Sequence, residues 1–67
     1  MSGSVEGVVE AELPRGLYTV RADDGRRFTA SLPVERRHGI VKLIRGDRVR
    51  IEPSTSDAQR ARIAAKL

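Results

Sequence analysis

The sequence predicts an all-β protein, a five-stranded barrel with a short helical insert between its third and fourth strands. Three observations predict it. Apolar and polar residues alternate with period two along much of the 67-residue chain, the mark of half-buried strands. Clusters of Gly, Pro, Asp and Ser punctuate that alternation at short intervals, where turns belong. The period breaks once, between Pro33 and Gly39, over a stretch long enough for only a turn or so of helix.

The first strand places Val5, Gly7, Val9, Ala11 and Leu13 on one face and Glu6, Glu10 and Glu12 on the other. Pro14-Arg15-Gly16 ends it as a turn. A second strand runs from Leu17 to Ala22 with Tyr18, Val20 and Ala22 inward, and a third from Arg26 to Leu32 with Phe28, Ala30 and Leu32 inward. Side-chain parity decides the loop between them, because directly opposed residues of an antiparallel pair share a face. A two-residue Asp24-Gly25 loop would oppose Val20 to Thr29. A three-residue loop, Asp23-Asp24-Gly25, opposes Val20 to Phe28 and Tyr18 to Ala30. The longer loop is expected, with Gly25 in the left-handed region closing a bulge.

Pro33 occupies a helix-start position and Gly39 a helix-stop position, so Pro33 to His38 is expected to form the insert. Ile40, Val41, Leu43 and Ile44 supply an apolar patch to pin it down. Gly46-Asp47 turns the chain into a fourth strand, Arg48 to Glu52, with Val49 and Ile51 inward. Pro53 to Asp57 reads as a loop by composition. The last strand spans Arg60 to Leu67, with Ala61, Ile63, Ala65 and Leu67 on one face. A helix from Asp57 to Leu67 is its rival, since alanine, arginine and lysine favour helix. Five strands with an insert after the third match the OB-fold, a partly open Greek-key barrel. An SH3-like barrel has no insert at that place.

Thirteen Lys and Arg stand against nine Asp and Glu, a net charge of +4, and they are unevenly spread. Through Glu35 the acids outnumber the bases by six to four, whereas from Arg36 onward nine bases face three acids. That asymmetry points to a polyanionic partner. Eleven of the thirteen bases are Arg, whose planar fork matches phosphate. Arg36, Arg37 and His38 lie in a row, either a phosphate clamp or a solvated helix face. Lys42 and Arg45 point away from the apolar patch. Arg48, Arg50, Arg60, Arg62 and Lys66 occupy outward strand positions and are expected to share one stripe. Tyr18 and Phe28, the only aromatics, have inward parity. They read as core, which argues against a single-strand-binding module built on exposed stacking platforms.

No nucleophile–base pair, Gly-rich phosphate loop or metal-ligand cluster is present, and His38 is the sole histidine. The sequence therefore implies no enzyme, no cofactor and no metal. With no Cys, no apolar run near the N-terminus and no span-length apolar stretch, a monomeric, single-domain cytoplasmic protein free of the membrane is expected, its residues 1–4 flexible.

Glu6-Gly7-Val8-Val9, Leu13-Pro14, Tyr18-Thr19-Val20, Asp24-Gly25, Arg37-His38, the Ile40 to Ile44 patch, Gly46-Asp47-Arg48-Val49-Arg50-Ile51-Glu52 and Arg60-Ala61-Arg62-Ile63 together resemble the bacterial translation initiation factor one family. The likeness runs from about Val5 to Ile63, and the order and spacing of these segments carry it. It implies an OB-fold bound to the small ribosomal subunit at the aminoacyl site. There the family contacts ribosomal RNA of the decoding centre, touches a neighbouring ribosomal protein and assists the other initiation factors. It assigns RNA contact to Arg37 and Lys42 and to the basic pair Arg60 and Arg62. The full set of RNA-binding candidates is Arg36, Arg37, His38, Lys42, Arg45, Arg60 and Arg62. The chain departs from the family at Glu35, where a basic residue is usual, at Thr55-Ser56-Asp57 in place of Pro-Tyr-Asp, and at Ala61 in place of Gly. Two alternatives stay open: a divergent OB-fold paralogue with another structured RNA target, and a protein-interaction module.

Overall fold

A computed structural model describes residues 3–33 and 43–67. Five strands make up most of it: β1 (Val5–Leu13), β2 (Leu17–Ala22), β3 (Arg27–Ser31), β4 (Arg48–Pro53) and β5 (Arg60–Lys66). They close into a barrel in the order β1-β2-β3-β5-β4, the topology of the expected OB-fold. Neighbours pair antiparallel except β3 and β5, whose short parallel ladder sets Thr29, Ala30 and Ser31 beside Arg60, Ala61 and Arg62. Closure leaves each strand two partners and removes the free edges that invite aggregation.

The core is the set of inward residues that alternation assigned to the strands. Val9, Tyr18, Val20, Ala22, Phe28, Ala30, Val49, Ile51, Ala61 and Ile63 are buried, and Leu32 and Leu43 complete the cluster from just outside the strands. Both aromatics are therefore structural. Arg26 lays its guanidinium over the Phe28 ring, 5.3 Å from the centroid. The β2–β3 hairpin has the register that parity demands, Val20 opposite Phe28 and Tyr18 opposite Ala30. Its loop is Asp23-Asp24-Gly25, with Gly25 at φ 93°. The C-terminal segment is a strand, so the helical rival fails. Its inward residues lie against β4, with Ile63 directly opposite Ile51.

The inward assignments beyond a bulge in β1 and in β5 do not hold, and Ile44 is exposed where an apolar patch was expected. In β1 the register slips between Val9 and Ala11, so Glu10 is an extra residue and Ala11 faces solvent. In the β4–β5 pair, Arg50 opposes Ala65 while Ile51 opposes Ile63, which makes Ala64 the extra residue. Such a bulge reverses the parity of everything beyond it, so Ala65 lies opposite the outward Arg50 and Leu67 is 51% exposed. Ile44 is 58% exposed because its backbone already belongs to the turn: its N–H donates to Asp47 Oδ2 at 3.0 Å. The expected helix beyond Pro33, together with Ile40 and Val41, lies outside the described residues.

Candidate nucleic-acid interface

The candidate residues gather at the two ends of β4, separated by about 17 Å at the usual strand rise. At its start the chain turns through Arg45 and Gly46, Gly46 adopting φ 98°. This turn is sewn to β1: the Gly46 N–H donates to the Val9 carbonyl at 2.8 Å, and the Val9 N–H donates to the Asp47 carbonyl at 2.9 Å. Lys66, from the end of β5, places Nζ 3.5 Å from Asp47 Oδ2. Arg45 is exposed at the tip.

At the far end, residues 54–59 carry the chain from β4 to β5, and serine and aspartate side chains hold them in shape. Ser54 Oγ accepts from the backbone N–H of Ser56 and of Asp57, both at 3.2 Å. Asp57 Oδ1 accepts from the Gln59 N–H at 3.0 Å. These are the local side-chain-to-backbone bonds that compete with regular structure and build turns. Beside this loop lies a groove of about 480 Å³ lined by Ser31, Glu52, Pro53, Ser54, Thr55, Arg60, Ala61 and Arg62. The groove adjoins the point where β3 ends, since Ser31 pairs with Arg62. Just beyond Ser31, at Pro33, the chain enters segment 34–42.

Ion pairing sorts the basic residues. Glu10 takes both Arg27 (3.0 Å) and Arg21 (3.7 Å). Asp24 takes Arg26 at 2.7 Å. Arg48 grips Asp23 with both guanidinium nitrogens, at 3.2 and 2.9 Å, and reaches Glu6 at 3.3 Å. The Arg48 hydrogen bonds hold the Asp23 carboxyl below the usual carboxylate range and push the Arg48 guanidinium up. The Arg26 backbone N–H, seconded by its side chain, likewise holds Asp24 down. Arg60 has only a loose pair with Asp57, at 3.9 Å. Among the described residues, Arg15, Arg45, Arg50 and Arg62 make no ion pair.

The structure thus joins Arg60 and Arg62 on one groove and sets Arg45 at the opposite end of β4. Arg36, Arg37, His38 and Lys42 lie outside the described residues. The single stripe expected from outward parity divides: Arg48 and Lys66 are engaged by carboxylates at one end, while Arg60 and Arg62 sit at the other. Sequence parity shows which way a side chain points but not which carboxylate a distant loop brings to it. The Asp23–Arg48 pair, 25 residues apart in the chain, carries no local signal. Nor did the sequence nominate Ser31, Glu52 and Thr55, which reach the groove only through the β3–β5 pairing and the loop's own bonds. No helix among the described residues is long and apolar enough to cross a membrane.

Known proteins resemble the chain along the same lines, although no family model matches it. The chloroplastic translation initiation factor IF-1 of Ceratophyllum demersum is 34% identical over 62 residues, which cover 92% of this chain and 80% of that protein. Those of Buxus microphylla and Helianthus annuus match at the same 34% over 62 residues. The solution structure of translation initiation factor IF-1 from the Wolbachia endosymbiont strain TRS of Brugia malayi superposes with a TM-score of 0.73 at 33% identity, covering 96% of this chain and 76% of that one. The crystal structure of YjeQ from Thermotoga maritima contains a similar barrel, with a TM-score of 0.75 at 25% identity, but the match covers 96% of this chain and only 22% of that one. With relatives of that identity along nearly its whole length and the same closed barrel in a solved member, the chain belongs to the translation initiation factor IF-1 family.

Proposed function

We propose that this protein is a non-catalytic initiation factor that occupies the aminoacyl site of the small ribosomal subunit, as a monomeric single barrel that needs no cofactor. It binds ribosomal RNA at the decoding centre, beside a neighbouring ribosomal protein, and assists the other initiation factors. The observation that carries this reading is the 34% identity to initiation factor IF-1 over 92% of the chain. The arrangement of charge supports it. Arginines are the residues of choice for backbone phosphate, and phosphate contacts fix a protein's position on nucleic acid. In this reading Arg60 and Arg62 hold the backbone from the groove, while Arg36, Arg37, His38, Lys42 and Arg45 extend the basic surface. An Arg or Lys of segment 34–42 then holds unstacked bases of an internal loop, the kind of RNA site that proteins can read.

The test is co-sedimentation with small subunits together with chemical probing of the decoding-centre adenines. Protection of those adenines at saturating protein is the expected result. Binding elsewhere with no protection there would discard the reading. The departures at Thr55-Ser56-Asp57 and Ala61 favour one second reading, a paralogue with a different structured RNA, because Thr55 and Ala61 line the groove. A protein-interaction module is separated from both by salt. Neutralising about four phosphates gives a log–log slope of roughly −3 to −4, whereas a protein-binding module shows no such requirement.

A further inference from the structure

We infer that Arg50 is a further phosphate-contacting residue, and that with Arg62 it forms a two-guanidinium clamp on the outer face of the β4–β5 ribbon. The inference rests on the RNA-binding reading above. The inward neighbours Val49, Ile51, Ala61 and Ile63 are all buried, so the alternation turns Arg50 and Arg62 outward, where both are exposed. Arg62 lies directly across from Glu52, two residues along β4 from Arg50. That makes the two arginines diagonal neighbours across the ribbon, roughly 7–8 Å apart at the backbone and within reach of one another's long side chains. The residue directly opposite Arg50 is Ala65, set there by the Ala64 bulge, so a small side chain leaves the space above Arg50 open.

The electrostatics separate this pair from the other outward bases of the ribbon. Arg48 is held by Asp23 and Glu6, Lys66 by Asp47, and Arg60 loosely by Asp57. Arg50 and Arg62 have no carboxylate bound to them among the described residues. The two acids nearest in register are Glu6, opposite Arg50 on β1, and Glu52, opposite Arg62. Glu6 already gives its carboxylate to Arg48 at 3.3 Å. A guanidinium without a partner loses no internal bond when it meets an anion, and two of them at ribbon spacing fit adjacent backbone phosphates of folded RNA. An acidic protein surface is the competing occupant; it carries no condensed counterions, so only RNA loses a full counterion's worth of slope with each arginine removed.

The experiment measures binding of the full chain to isolated small subunits across a salt series, for wild type, Arg37→Ala, Arg50→Gln, Arg62→Gln, Arg50→Lys and Arg21→Gln. The last is a charge-matched control on β2, separated from β4 by β1, where Arg21 already pairs with Glu10. Melting curves check that each variant folds. Arg50→Gln and Arg62→Gln are each expected to weaken binding roughly tenfold and to flatten the log–log slope by about 0.7–0.9. Arg50→Lys should keep the slope, and Arg21→Gln should change neither quantity. If Arg50→Gln behaves like Arg21→Gln while Arg37→Ala still weakens binding, the clamp is wrong and the RNA reading stands. Lost affinity with an unchanged slope would assign Arg50 to a protein contact and overturn the clamp. Failure of the wild type to bind small subunits would overturn the RNA reading itself.

Discussion

At Gly7 the barrel wall leaves no room for a side chain. A Cβ there would lie 2.5 Å from the Arg21 carbonyl oxygen and 3.0 Å from Ala22 Cα, and both are backbone atoms that cannot rotate away. Gly7→Ala is therefore expected to cost about 1–3 kcal/mol, the range for overpacking, read as a drop in denaturation midpoint. Gly25 is glycine for a different reason. Nothing lies within 4 Å of its added Cβ, but its φ is +93°, so the penalty is conformational, about 1–2 kcal/mol for a residue with a Cβ. The two mechanisms separate under asparagine, which tolerates left-handed backbone. Gly25→Asn should be milder than Gly25→Ala, whereas Gly7→Asn should be worse than Gly7→Ala. If Asn and Ala rank alike at both sites, the distinction between crowding and dihedral strain is lost.

The β2–β3 hairpin is the element whose form could be read most fully in advance, because burial of Val20 and Phe28 admits a single register and a three-residue loop follows from it. The bulges at Glu10 and Ala64 could not be read in the same way. An extra residue in one strand becomes visible only against its partner, and the partner is chosen by barrel closure. The hairpin loop also gives the fold a pH response. Arg48 and Arg26 hold Asp23 and Asp24 below the ordinary carboxylate range. A carboxyl whose pKa is depressed on folding stabilises the native state above its unfolded value of about 3.9 and loses that contribution as pH falls through the folded value. The melting temperature should thus decline as the solution is acidified below about pH 4. The decline should be smaller in an Asp23→Asn, Asp24→Asn double variant, and molar salt should also reduce it, since both pairs face solvent. An unchanged acid profile in the double variant would place the pH response elsewhere.

At the scale of the whole molecule, inside and outside do separate work, and that division sets how much of the site was legible. Outward parity of Arg60 and Arg62 could be read from alternation, and resemblance marked them as contacts. Their union with Ser31 and Glu52 in one groove needed the parallel β3–β5 closure, a pairing between segments far apart in the chain. The removal of Arg48 from the basic stripe needed a carboxylate from the distant hairpin. The same division predicts two substitution classes that do not overlap. Ile63 is fully buried against Ile51, so Ile63→Ala should cost about 2–5 kcal/mol. A core this small rarely supplies more than about 3–5 kcal/mol of net stability, so the variant should be largely unfolded near room temperature, with loss of binding as a consequence. Arg37→Ala and Lys42→Ala should each weaken binding to the small subunit by about 1–3 kcal/mol, as loss of a hydrogen bond from a charged group does, with the melting temperature nearly unchanged. Melting curves and binding isotherms on the same preparations decide the matter. A large fall in melting temperature for Arg37→Ala would make that side chain structural, and an Ile63→Ala protein that melts like wild type would mean that the barrel interior does not hold the fold together.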